Sequence, residues 1–383
     1  MPARQPLLWD IFCHVIDNYG DIGICWRLAR QLVEEYGFGV RLWIDDLVAF
    51  QRLCPKVHTD HPRQFVQRIE IRHWTDDSGH TIPGDIVIEG FACRLPESFE
   101  LAMTKRQPPA VWINLDYLSA EPWVPEYHEL PSPHPRLPLV KYFFFPGFTE
   151  KTGGLLRERD LIAQWQTFEN QSCLREHFLI DGGITQPSRD VLQVSLFSYE
   201  NLALTDLLDA WAGGSRAIRC FSPLTRQQAN LERFFGHTMF VGDTARKGSL
   251  EVTIIPFVSQ TDYDKLLWSC DINFVRGEDS FVRAQWAACP MIWQIYPQEN
   301  QAHLAKLSAF LDIYCAGLSE PVSIVVQRFF RAWNGDGHIT RELWQQWLDT
   351  FPELRTHARN WQKELSKQQD LCQRLVQFAH SKL

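Results

Sequence analysis

Asp271-Ile272-Asn273-Phe274-Val275-Arg276-Gly277-Glu278-Asp279-Ser280-Phe281 reads as strand, turn and helix in one sweep. Asp271 to Val275 has the apolar content of a short buried strand, and Ser280 to Ala288 the spacing of an apolar-periodic helix. Between them lies a tight polar turn that opens the helix. N–H groups at a helix start, with the positive end of the dipole, form an anion site. Gly277 lets a ligand approach the backbone, and Arg276 adds a charged, bidentate fork. Glu278 and Asp279 are awkward beside a diphosphate, so they call for another role, which a cationic or hydroxylated partner would supply. The purely structural alternative makes Asp279 or Ser280 an N-cap and Glu278 a first-turn dipole partner.

The same texture recurs outward from this stretch. Leu7 to Ile16 is a continuous apolar strand broken only by Asp10 and His14. Asp17-Asn18-Tyr19-Gly20-Asp21-Ile22-Gly23 follows as a loop, and Ile24 to Tyr36 has helical spacing. Further buried-type strands are expected at Val40 to Ile44, Asp85 to Ile88, Ala110 to Asn114 and Val140 to Phe145. The second half repeats the pattern at Val191 to Phe197, Ala217 to Phe221, Val252 to Phe257, Asp271 to Val275 and Pro290 to Ile295. Strands without alternation, separated by crossovers, imply mainly parallel sheets covered on both faces, with ligands beyond the strand C-termini. The Pro-rich stretch Glu121 to Pro138 is expected to be an irregular surface loop. A change of texture over residues 151–190, including Asp181-Gly182-Gly183 and Pro187, places a domain junction there. The expected division is 1–153, a linker over 154–186, a second domain over 187–358, and 359–383 packing back on the first.

A chain of 383 residues has room for two cores, and 45% hydrophobic with 22% charged residues is ordinary globular composition. The net charge of −8 argues against non-specific nucleic-acid or anionic-membrane binding and suits a basic partner. Ten Cys with no Cys-x-x-Cys pair indicate buried free thiols in a reducing compartment. With no signal-peptide pattern and no apolar run of about 18 residues, a cytoplasmic location is expected.

Other motifs carry less. No Gly-x-Gly-x-x-Gly follows a strand. The run Gly242 to Ser249 has P-loop composition in the wrong order, and Asn334-Gly335-Asp336-Gly337-His338 is a turn that fails the calcium-loop pattern. Asp262-Tyr263-Asp264 looks like a metal-binding Asp-x-Asp but sits at a helix start, where N-capping is the better account. His14 reads as a satisfied core histidine.

Four stretches together resemble one family: Asn18 to Gly23, Asn114 to Glu121, Phe144-Phe145-Pro146-Gly147-Phe148 running into Thr152-Gly153-Gly154-Leu155, and Arg276 to Ser280. They are similar to the EarP family, arginine rhamnosyltransferases that mature bacterial translation elongation factor P. Asp116 stands where Glu is expected in that family. The resemblance runs to about residue 300. It implies an α/β protein of GT-B type: two Rossmann-like domains facing a central cleft, with C-terminal helices crossing back. It also implies an inverting, metal-free transfer of rhamnose from dTDP-β-L-rhamnose, the donor substrate, with no cofactor. The implied acceptor is an Arg on the N-terminal β-barrel domain of elongation factor P. Carried over by motif, Asp17, Asp21 and Glu278 are catalytic. Asn18, Tyr19, Gly20, Arg276, Gly277, Asp279 and Ser280 line the substrates. Phe257 and Gln260 would hold the thymine, and Tyr296 would lie near the diphosphate or sugar, with Phe197 and Tyr199 in the same site. A GT-B enzyme with a saccharide acceptor, or a non-catalytic nucleotide-binding protein, would share much of this pattern.

Overall fold

Runs of apolar residues without alternation must be covered on both faces, and they fold here into two mainly parallel sheets flanked by helices. The computed structural model describes residues 6–17, 19–74, 81–181, 190–223, 227–298 and 302–383. The chain divides into two compact units, Met1–Arg159 with Lys367–Leu383, and Asp160–Ser366. Gly182, Gly183 and Pro187 of the expected junction lie outside the described residues.

The first unit contains β1 (Leu8–Cys13), β2 (Gly39–Ile44), β3 (Arg63–Val66), β4 (Ile69–His73), β5 (Ile86–Gly90), β6 (Val111–Leu115), β7 (Pro131–Pro133) and β8 (Val140–Phe144). They form one sheet in the order β3-β4-β2-β1-β5-β6-β8-β7, antiparallel only at its two edges. The second unit contains β9 (Leu192–Leu196), β10 (Ile218–Pro223), β11 (Thr244–Lys247), β12 (Leu250–Ile255), β13 (Ile272–Arg276) and β14 (Met291–Gln294). Their order is β11-β12-β10-β9-β13-β14, with β11 the antiparallel edge. The chain order therefore reverses beside β1 in one sheet and beside β9 in the other.

Most expected strands form within a residue or two of their predicted limits. Asp10, the one charge inside β1, is fully buried and fully used: it accepts from Arg41 Nε and Nη2 at 2.6 Å, Trp43 Nε1 at 2.8 Å and Gly84 N at 2.7 Å. Such saturation is the condition for keeping a carboxylate in a core. Three other stretches take their own local form. The Pro-rich stretch is not wholly irregular: it holds a short helix, Val124–Tyr127, with Pro in its first turn, and edge strand β7, where a missing N–H faces no neighbour. The P-loop-like run is a hairpin between β11 and β12, turned by Gly248 at φ +57°; a Cβ there would fall 2.0 Å from Ala212 O. From 351 onward the chain forms two helices, Phe351–Ser366 in the second unit and Leu371–Lys382 in the first. No helix among the described residues is long and apolar enough to cross a membrane. All ten cysteines are unpaired, and all but Cys173 and Cys289 are buried.

Candidate functional site

Both sheets place their chemistry-bearing loops at strand C-termini next to the reversal points, where an open α/β sheet leaves a crevice for ligand. In the first unit β1 ends at Cys13, level with Ile44 of β2 and Gly90 of β5. The helix Gly20–Tyr36 begins earlier than the apolar spacing suggests, so Asp21 stands in its first turn rather than in a free loop. The loop folds down on it: Asp21 Oδ2 accepts from Ile16 N and Asp17 N, each at 2.9 Å. Asp21 is thereby 2% exposed and Asp17 9%. The loop glycines therefore do not hold Asp21 out in the open. Gly20 instead makes room for the neighbouring carboxylate. Its N–H donates to Asp17 O at 2.7 Å, and a Cβ there would lie 2.5 Å from Asp17 Oδ2. The N-cap position is Tyr19, which makes no side-chain capping bond; its hydroxyl accepts from Arg52 Nη1 at 3.0 Å. Asn18 lies outside the described residues.

Burial raises the Asp21 pKa above its ordinary value. The amides of Asp17 and Ile16, the Tyr117 hydroxyl and the nearby His14 oppose that rise. His14 itself is no core residue. β1 stops before it, its side chain is 54% exposed, and its Nδ1 hydrogen-bonds the Asp45 carboxylate, which also accepts from Val15 N at 2.9 Å.

In the second unit, β13 leads through Gly277 and Glu278 into the helix Asp279–Trp286. Arg276 is 8% exposed and lies over two rings that follow β9, 4.5 Å from the Phe197 centroid and 4.4 Å from Tyr199. Such contacts hold a guanidinium by its flat faces. The Ser280 hydroxyl accepts from Arg276 N at 3.0 Å and donates to Arg276 O, closing strand end to helix start. Neither Asp279 nor Ser280 is the N-cap. That position is Glu278, and it makes no side-chain capping bond. Asp279 Oδ2 accepts from Gln260 Nε2 at 3.0 Å. Gly277, at φ +59°, accepts from Trp293 Nε1 at 2.8 Å through its carbonyl. Tyr296 packs edge-on to Tyr199 at 5.4 Å and remains 41% exposed; Phe257, just past β12, is 38% exposed. The structure thus gathers Phe197, Tyr199, Arg276, Ser280 and Tyr296, and joins Gln260 to Asp279.

Two supporting residues carry little signal in the sequence. Gln294, the polar end of the apolar strand β14, accepts from Tyr199 N at 2.8 Å. Gln227 binds Ser198, Ser222 at 2.6 Å and Leu196 O at 3.3 Å, bracing the loop after β9. A lone glutamine closing an apolar run was the only available signal for Gln294. The Asp-x-Asp stretch is spoken for: Ser259 caps the helix Gln260–Ser269 and bonds Asp262, while Asp264 forms a buried two-pronged pair with Arg283 at 2.8 Å. Among the described residues, the one trio of His/Cys/Asp/Glu side chains spaced to hold a metal is His58, Asp60 and His61, all exposed.

The family model described as Elongation-Factor P (EF-P) rhamnosyltransferase EarP matches residues 9–380. A protein-arginine rhamnosyltransferase of Pseudomonas putida is 48% identical, the alignment covering 98% of this chain and 99% of that protein. A solved structure reporting the structural basis for EarP-mediated arginine glycosylation of translation elongation factor EF-P superposes with a TM-score of 0.70 at 36% identity, covering 98% of this chain and 100% of that one. An alpha-glucosyltransferase solved with UDP and DNA reaches 0.50 at 7% identity, covering 98% and 100%. That last likeness concerns the fold alone: two Rossmann-like domains of the GT-B type.

Proposed function

The chain belongs to the EarP family of elongation factor P rhamnosyltransferases, and from that premise we propose that it moves L-rhamnose from dTDP-β-L-rhamnose to an Arg side chain on the N-terminal β-barrel domain of elongation factor P, inverting the anomeric carbon and using no metal. The observation that carries this reading is the arrangement at the two reversal points: buried carboxylates Asp17 and Asp21 after β1, and the ring-framed Arg276 after β13.

The carboxylates suit a cationic acceptor. A guanidinium holds its proton far more tightly than a carboxylate can, so full deprotonation before attack would cost roughly 13 kcal/mol. Asp21 instead grips the guanidinium, aims one nitrogen at the anomeric carbon, and takes the proton late, as the C–N bond forms and that nitrogen becomes acidic. Its raised pKa makes it a better late acceptor than an ordinary Asp. Asp17 orients the acceptor or Asp21 itself.

On the donor side, Arg276 and the first-turn amides of the helix Asp279–Trp286 stabilise the leaving diphosphate, the work a divalent cation performs elsewhere. Phe257, partly exposed at the end of its strand, stacks on the thymine with Gln260 beside it, and Tyr296 meets the diphosphate or sugar. Glu278 serves sugar hydroxyls or the acceptor cation; Asp279, held by Gln260, keeps that turn in shape. The test is NMR of the linkage formed on elongation factor P. An α-rhamnosyl guanidine supports a single inverting displacement, and a β-linkage rules it out.

A further inference from the structure

Asp21 is met from a second direction. The loop after β6 begins with Asp116, whose N–H donates to Phe144 O at 2.9 Å, and whose carboxylate accepts from Asn114 Nδ2 at 3.1 Å and from Tyr117 N at 2.8 Å. This fixes the backbone of Tyr117. Its ring stacks on Phe91 at 4.7 Å with 27° between planes, and Phe91 N donates to Leu115 O at 2.6 Å. Phe91 and Ala92 both have left-handed φ values, +58° and +57°. Such a pair of non-glycine residues is costly and is kept where surrounding contacts demand it. Loops after β1, β5 and β6 thus converge, and the hydroxyl at the end of the clamped ring hydrogen-bonds to Asp21.

We propose that Tyr117 is a positioning residue for the transfer: its hydroxyl donates to the Asp21 carboxylate and fixes the orientation in which that group meets the acceptor guanidinium. The proposal rests on the role of Asp21 given above. With Oδ2 tied by two amides, a third donor from another loop removes the remaining freedom of the carboxylate. The titratable groups facing Asp21 are Cys13 at the end of β1, His14 and Asp17 in the following loop, and Tyr117. Of these, Tyr117 and His14 favour its charged form.

Tyr117→Phe keeps the stacked ring and removes only the donor. Three readouts are expected in the full-length enzyme: unchanged dTDP-rhamnose affinity, single-turnover transfer slower by about 10- to 100-fold, and an acidic limb of the pH–rate profile moved to higher pH. A ¹³C titration of the Asp21 carboxyl, which needs no activity, should show its midpoint rise. A purely structural tyrosine would move neither titration nor profile, and wild-type values for both overturn the proposal. Asp21→Asn run alongside separates the failures. If Asp21→Asn abolishes transfer while Tyr117→Phe behaves as wild type, only the tyrosine's role falls. If Asp21→Asn also transfers normally, the assignment of Asp21 falls with it.

Discussion

Asp21 holds its carboxylate in a place that favours the uncharged form, and this has opposite consequences for catalysis and stability. Its folded pKa lies above the unfolded value. The stability it contributes is therefore present below its unfolded pKa and lost as pH rises through the folded pKa. At neutral pH the ionised group is a strained member of the fold, and the amide of Asp21→Asn can still accept from Ile16 and Asp17. Asp21→Asn should thus unfold at an equal or higher temperature than wild type at pH 7, the difference vanishing below about pH 4. Donor affinity should remain, while turnover falls on the order of 10²–10⁴-fold. A variant that is both less stable at pH 7 and fully active would contradict the role. Arg276 makes a complementary case: its guanidinium is placed by the faces of Phe197 and Tyr199. Arg276→Lys keeps the charge but loses the planar fit, and calorimetry should show dTDP binding weakened by about 1–2 kcal/mol. Unchanged affinity would remove that frame from the donor site.

The strand–turn–helix units decide which of these residues are positioned and which merely packed. Gly20 is the sharpest instance. Its φ is not in the left-handed region, so alanine is tolerated by the backbone and favours helix by roughly 0.5–1 kcal/mol. Yet the new methyl would press on the Asp17 carboxylate. Gly20→Ala should hold or raise thermal stability while lowering transfer and leaving dTDP affinity intact; loss of stability together with activity would mean that Gly20 serves folding only. Much at this scale was legible in the sequence. Strands such as Val40 to Ile44 and Asp271 to Val275 declared themselves because burial on both faces leaves an unbroken apolar run. β3, β4 and β11 did not, because edge or near-edge strands such as Arg63–Val66 are half exposed and polar. The burial of Asp21 was also illegible. It depends on a loop folding back through two amide bonds, which composition does not encode. Tyr117 stood inside a quoted motif, but only the convergence of three loops reveals what its hydroxyl meets.

At the scale of the whole molecule, the family match spans both units, from residue 9 to residue 380, so its last part needs a structural reason. The helix Leu371–Lys382 supplies one inside the first unit. It buries Leu371, Cys372, Leu375, Val376, Phe378 and Ala379, and Phe378 packs edge-on to Tyr142. Leu371 N donates to Leu155 O at 3.0 Å, and Gln31 Nε2 donates to Asp370 Oδ1 at 3.2 Å. At about 1.5–3 kcal/mol for each large apolar side chain, this burial is comparable with the whole stability of a domain, about 5–15 kcal/mol. Truncation after Ser366 should therefore unfold the first unit at physiological temperature, seen as lost amide-exchange protection in β1, β5 and β6; retained protection would show the helix to be dispensable. The proposed transfer is a reaction of the whole enzyme on a whole protein. Its most direct measurement is the mass spectrum of purified elongation factor P after incubation with this enzyme and dTDP-rhamnose. One added deoxyhexose is expected, mapped by fragmentation to a single arginine of the N-terminal β-barrel domain and formed on the order of 10²–10⁴-fold more slowly with Asp21→Asn. Unmodified elongation factor P, or sugar attached to a residue other than arginine, would contradict it.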